Sequence, residues 1–388
     1  MHESNADPTL YAERHLPEPT REHWPEDARS VRRLLEPDAG DRPAVLVGGG
    51  EHLRAGAIGA RPFDAIRTGR FSGIVALDRN SNVVRVRAGT GWGELRRALR
   101  GRGRTLARYG LHPEGATVGG LLARRQPLEK QLFTGDLREG CVALTTATPG
   151  SGDYEYIPAP RKASGPDHRY LHIGGEGFGG VILEASLVVW PVGAARLLEH
   201  RAEDVGAAVS VYRRLVGLDL RFSWCHWSRE TRRLEAALHG PEEVVAGFER
   251  RVRGELEGEF ELRGAGAVRE RRRSLEDGHP EGRSAAGAHR RLRAWWNLDE
   301  LGDRLAGLGD RVEEVAVDRW SRRRAGVRLM LRETGEPGDE EAEPLRRALA
   351  VRRVVDEGAA EWPEWTSRLK GQLDPHRRLA VGPEPAVD

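Results

Sequence analysis

The chain has 388 residues, 38% of them hydrophobic and 31% charged, enough for two or three domains of ordinary size. Its 62 Lys+Arg against 60 Asp+Glu leave a net charge of +2, which argues against a nucleic-acid partner. The only cysteines, Cys141 and Cys225, exclude a disulfide framework, and neither sits in a CxxC or Cys/His cluster that would hold zinc.

The first ten residues, MHESNADPTL, are polar and contain no apolar h-region. The longest apolar stretch, 181–192, is interrupted by Glu184 and is too short to cross a bilayer. The expectation is a soluble cytoplasmic protein with no integral membrane segment. Residues 1–40 are polar, with one helix candidate at 25–35. Residues 43–47 (PAVLV) read as a short buried strand. Residues 73–78 and 83–88 read as two strands joined by an Asn80-Ser-Asn82 turn. Trp92, Leu95 and Leu99 follow the i, i+3, i+7 spacing of an amphipathic helix over 91–100. Further strands are predicted at 141–148, 154–157 and 181–190. From about Gly193 helices alternate with strands. Helices are predicted at 202–216, 241–256 and 343–358, and strands at 220–227, 232–237 and 327–332.

Three glycine clusters stand beside strands. The first is Gly48, Gly49 and Gly50, followed by Glu51 and His52. The second closes the run Ala116, Thr117, Val118, Gly119, Gly120. The third is 174–180 (GGEGFGG), which leads into Val181 and Ile182. Consecutive glycines let backbone N–H groups converge on an anion, because no Cβ blocks the approach. Together the three suggest a nucleotide pyrophosphate site. None is a GxGxxG strand–turn–helix or a Walker A loop, so Rossmann and P-loop readings are poor.

The order of these motifs resembles the FAD-binding oxidoreductases of the vanillyl-alcohol oxidase type, with a PCMH-type FAD domain. Within them it is most similar to the small FAD-binding subunit of bacterial glycolate oxidase. The matching stretches are Gly48–Gly50, Ile74–Asp78, Val86–Gly89 leading to Glu94-Leu95, Ala116–Gly120 and Thr134–Glu139. A closing run follows from Lys162 through Asp167, Gly174, Gly177 and Gly180 to Ile182, and the tail at 369–375 is LKGQLDP. The resemblance implies an α+β fold. A PCMH-type two-lobed FAD-binding domain (41–192) would follow a polar segment (1–40). An α+β cap domain with an antiparallel sheet (193–365) would come next, and a tail (366–388) would return to the FAD domain.

The resemblance implies non-covalent FAD held by Gly48, Gly49, Gly50, Glu51, His52, Ala116, Thr117, Val118, Gly119, Gly120, Gly135, Gly177, Gly180, Val181 and Ile182. It also implies oxidation of a small 2-hydroxy acid of the glycolate or D-lactate type, beside a larger FAD subunit and an iron–sulfur subunit. The two cysteines here cannot hold a cluster, so any cluster lies elsewhere. On a strand at 220–227, Trp224 and His226 face one way and Ser223, Cys225 and Trp227 the other. His226 is the candidate catalytic base, against the plainer reading of a satisfied core histidine. The arginine runs of the second half carry interspersed Glu and Asp and read as solvated faces. The chain departs from the family at Val47, Glu51, Arg124 and Arg125. Glu51, Arg124, Arg125 and the absence of the His-x-Gly-like cap motif carried by the family's larger subunits motivate the alternative of a non-catalytic structural or assembly subunit that keeps the fold.

Overall fold

The computed structural model describes residues 3–4, 18–51, 62–106, 109, 112–124, 137–150, 152–157, 167–219, 222–256, 260–277, 289–306, 312–320, 324–332, 365–374, 376 and 379. His52, Gly135, Arg125 and the helix predicted at 343–358 lie outside them.

The first unit opens with a mixed sheet. It contains β1 (Glu3–Ser4), β2 (Arg21–His23), helix α1 (Ala28–Leu34), β3 (Ala44–Val47) and β4 (Asp64–Arg67). The strand order is β1-β2-β4-β3, with β4 parallel to both β2 and β3. Asp27 caps α1 by accepting from the Ser30 amide at 2.7 Å, and Val31 and Leu34 of the helix are buried in the core formed with this sheet.

A second, antiparallel sheet follows. Strands β5 (Ile74–Asp78) and β6 (Val83–Arg87) form the predicted hairpin. The Asp78 carboxylate accepts from the amides of Asn80 and Ser81, and Asn82 takes a left-handed φ of 52°, which Asn tolerates. Helix α2 (Trp92–Arg100) buries Trp92, Leu95 and Leu99 against the sheet, as their spacing dictates. Then come β7 (Arg104–Thr105), the short helix α3 (Val118–Ala123), β8 (Cys141–Thr148), β9 (Gly152–Glu155), β10 (Val181–Val188) and β11 (Trp190–Pro191). The sheet order is β5-β6-β10-β8-β9, while β11 pairs with β7. Strand β9 begins two residues before the predicted 154–157. It starts at Gly152, whose φ is +75°, and pairs Glu155 with Thr145.

The second unit is built on an antiparallel sheet ordered β15-β12-β14-β13-β17-β18-β16. Its elements are β12 (Ala194–Arg201), α4 (Val205–Gly217), β13 (Phe222–Ser228), β14 (Arg233–Gly240), α5 (Glu242–Glu255), β15 (Phe260–Arg263), α6 (Ala265–Asp277), β16 (His289–Asn297), α7 (Leu301–Ala306), β17 (Val312–Trp320) and β18 (Arg324–Arg332). One face packs Cys225, Trp227, Leu234 and Ala236 under Tyr212 of α4, Phe248 of α5 and Leu301 of α7. The other face packs Leu197, Trp224 and Ala237 against Val268 of α6.

Helix α8 (Trp365–Leu373) lies on the first unit. The Gly150 amide donates to Leu373 O at 3.0 Å, and Leu379 forms a parallel bridge with Ala44. Lys370 Nζ lies 3.1 Å from Asp374 Oδ2 and donates to Phe178 O at 3.4 Å. Asp374 Oδ2 accepts from the Leu379 amide at 2.8 Å. Lys370 and Asp374 are 3% and 0% exposed, so this is a buried ion pair that ties the tail to the 174–180 loop.

Candidate functional site

Three backbone segments meet at the C-terminal end of β3. A Cβ placed on Gly48 would come 2.1 Å from Thr117 Oγ1, and one on Gly49 would come 1.9 Å from Gly115 O. The first glycine loop therefore lies directly on the 113–117 turn, at a distance that only glycine permits. The third loop approaches from the other side. A Cβ on Gly177 would come 2.9 Å from Leu46 Cδ1, and one on Gly180 would come 2.4 Å from Ala147 O. Gly177 and Gly180 also hold φ of +91° and +133°, which L side chains avoid.

The meeting point is a cleft of about 960 Å³ including its open mouth. Gly48, Gly49, Gly50, Glu51, Ala116, Thr117, Gly119, Gly120, Gly177, Gly180, Val181 and Ile182 all line it. Val118 does not line it; its side chain is buried in the core with Leu121 and Leu122. Sequence reasoning missed Thr68, Ala88 and Glu176, which also line the cleft. Thr68 directly follows β4, a strand too short and too mixed in character to stand out in sequence.

The donor set differs between loops. At the start of α3 the amides are already used: Val118 N donates to Thr90 O, Gly119 N to Ala88 O, and Gly120 N to Thr117 Oγ1 at 3.2 Å. The second glycine run thus serves close packing rather than anion binding by its N–H groups. In the first loop, the amides of Gly49 and Gly50 donate to no backbone carbonyl among the described residues. Gly50 takes φ +77°, and successive amides with such a turn form an anion-binding concavity.

Among the described residues, three charged side chains line the cleft: Glu51, Arg124 and Glu176. Arg124 is 6% exposed, its residue lining the cleft, and a guanidinium there is the kind of group that pairs with a phosphate. The Glu51 carboxylate lies over the second turn, where a Cβ on Gly115 would come 2.5 Å from Glu51 Oε1. Beneath the third loop, His172 is 3% exposed with Nε2 3.3 Å from Thr146 Oγ1, and burial pushes its pKa down to about 4. A glycine cradle with open amides and a buried guanidinium fits a dinucleotide pyrophosphate.

His226 is not brought to this cleft. It sits in β13 at 4% exposure, opposite Glu235, whose carboxylate receives two 2.6 Å bonds from Arg271 of α6. Burial pushes the Glu235 carboxyl up, and Arg271 opposes that shift. The predicted facing of Trp224 against Cys225 and Trp227 is observed, but Ser223 is displaced. An irregularity between Phe222 and Trp224 turns the Ser223 hydroxyl onto His239 and Ala237 O. Both thiols are buried, and burial pushes that of Cys141 up to about 12 and that of Cys225 up as well, which leaves them unreactive. No group of metal-ligating side chains occurs among the described residues, and none of their helices is long and apolar enough to cross a membrane.

Residues 21–155 match the family model described as FAD binding domain. The first unit is a PCMH-type FAD-binding domain. Its cofactor is FAD, and the whole chain has the α+β architecture of that fold. A curated protein of Caenorhabditis elegans, alkyldihydroxyacetonephosphate synthase, is 25% identical over 174 residues. That match covers 44% of this chain and only 29% of the relative's length. Two crystal forms of an alkyldihydroxyacetonephosphate synthase superpose with TM-scores of 0.72 and 0.69 at 16% and 15% identity. They cover 94% of this chain and 76% and 77% of theirs, so the likeness in fold extends through the cap. These relatives bear a different activity in their name from the glycolate oxidase subunit that the motif order suggests.

Proposed function

We propose that the protein is an FAD-dependent enzyme that holds its cofactor non-covalently between the first glycine loop, the 113–120 turn and the third glycine loop. The convergence of the three loops on one cleft carries this reading. When bound, FAD supplies an electron-accepting ring. The chain's own part is to bind and orient. The amides of Gly49 and Gly50 would hold the pyrophosphate, Arg124 would supply the compensating charge, and Gly177 and Gly180 allow the backbone to approach closely. The buried Lys370–Asp374 pair holds the third loop in place.

For the substrate, the likeness over 94% of the chain favours a ligand of the alkyl dihydroxyacetone phosphate kind, as the relatives' name indicates. A second reading, a small 2-hydroxy acid handled beside a larger FAD subunit and an iron–sulfur subunit, is supported by the closing glycine run and the LKGQLDP tail. The test is to load the purified chain with FAD and add each compound without oxygen. Flavin bleaching by glycolate or D-lactate favours the second reading. A saturable perturbation of the flavin band by the dihydroxyacetone phosphate compound alone favours the first. A flavin that responds to neither favours a non-catalytic subunit.

A further inference from the structure

A second cleft lies where the two units meet, and it shares no lining residue with the first. Its walls come from the end of α2 and the β7–β11 pair on one side, and from β12, β14 and α6 on the other. Together with its open mouth it encloses about 1050 Å³. Arg100, at the last turn of α2, faces Arg269, in the middle of α6, across this space. No Asp or Glu lines the cleft among the described residues, and neither arginine has an ion pair with a described carboxylate. Both stand in contrast to their helix neighbours: Arg96 and Arg97 pair with Glu114, and Arg271 pairs with Glu235. Trp190, Pro191 and Val268 supply apolar wall.

Like charges brought together without a counter-charge repel, and partial removal from water strengthens the repulsion. The Arg100 guanidinium registers this. Partial burial pushes its pKa below the ordinary value, and the positive charges of Arg269, Arg96 and Arg272 push the same way. Two helices from different units thus hold guanidinium groups toward one cavity. Both side chains are exposed, so solvent screens much of their repulsion, and an anion shared between them would remove the rest. Guanidinium groups bind oxyanions through paired N–H donors, and two groups around one oxyanion match a doubly charged species best.

We propose that this cleft is a binding site for a small oxyanion of two or more negative charges, free or carried on an organic body, which bridges Arg100 of the FAD domain and Arg269 of the cap and locks the two units together.

The experiment uses the full chain with and without saturating FAD, so that phosphate entering the first cleft is displaced. Thermal unfolding is followed at constant ionic strength while inorganic phosphate, or citrate in a parallel arm, replaces chloride. The wild type should show a saturable rise in Tm that persists with FAD present. Arg100→Gln and Arg269→Gln should each abolish the saturable rise. At low ionic strength and without oxyanion, each should also melt no lower than the wild type, because a repulsion has been removed. Arg97→Gln, on the same helix but paired with Glu114, should keep the phosphate response. A response to citrate but not phosphate would assign the oxyanion to polycarboxylates, and the reverse to phosphate. The proposal is overturned if phosphate and citrate do no more than chloride, or if either cleft variant retains the saturable rise.

Discussion

Gly48→Ala tests the packing of the first glycine loop in a way that separates it from general damage. The new Cβ would sit 2.1 Å from Thr117 Oγ1, well short of ordinary contact at 3.4 Å. Thr117 cannot simply rotate away, because its Oγ1 caps α3 by accepting from the Gly120 amide. Overpacking of this kind costs about 1–3 kcal/mol, and a lost N-cap about 0.5–2 kcal/mol. Gly48→Ala should therefore lose roughly 2–4 kcal/mol, while Thr117→Ala alone should lose about 1 kcal/mol. In the double variant the clashing oxygen is gone and the nearest remaining atom, Thr117 Cβ, is at 3.3 Å. Its stability should thus fall near that of Thr117→Ala, a coupling of at least ~1 kcal/mol. The assay is urea unfolding of the four proteins, with flavin fluorescence titration reading FAD affinity in parallel. Strict additivity of the two changes would refute the packing argument. Gly49→Ala offers a contrast, since its clash is with the Gly115 backbone carbonyl and no side-chain change should relieve it.

Three further outcomes are expected. His172 has a folded pKa of about 4 against an ordinary 6.5, so its neutral form contributes stability above pH 6.5 that is lost as pH falls toward 4. The loss should total at most ~3 kcal/mol, and His172→Asn should flatten that part of the stability–pH curve; an unchanged curve would refute it. Lys370→Met leaves Asp374 buried without its cation and should cost roughly 3–5 kcal/mol in urea unfolding, with Lys370→Met/Asp374→Asn recovering part of it; no recovery would show that the pair is not coupled. Arg124→Gln should raise the Kd for FAD about 10- to 100-fold, as expected for loss of a charge-assisted contact; an unchanged Kd would place the pyrophosphate elsewhere.

The cleft was legible in sequence because its glycines are clustered, the first cluster following β3 and the third leading into β10, whereas the second lies within helix α3 and not beside a strand. Close backbone approach demands glycine, so a geometric requirement leaves a compositional trace, as at Gly49 and Gly180. What the glycines do was less legible. The run at Gly119 and Gly120 reads like an anion loop, yet its amides are bonded within the protein and its small size serves contact with Ala88. Helices with a clear apolar stripe, such as α2, are found at the predicted place. Strands β16 and β17 (HRRLRAWWN and VEEVAVDRW) were missed because charges interrupt their alternation; β16 is held by pairing with β18, and β17 by its hairpin with β18 and by long-range pairing with β13. Helix α6 was missed for a related reason: AGAVRERRRSLED carries few apolar residues, and Val268 is its anchor on the sheet. The second cleft had no sequence signature at all, since Arg100 and Arg269 are 169 positions apart and only the meeting of the two units brings them together.

The most direct test of the account is the visible absorption spectrum of the purified chain after incubation with FAD and removal of free cofactor. A flavin band at about one FAD per chain, released on denaturation as expected for non-covalent binding and lost in Gly49→Ala, is the predicted result. A chain that is folded yet retains no flavin under any loading condition would contradict the assignment of the three-loop cleft to FAD.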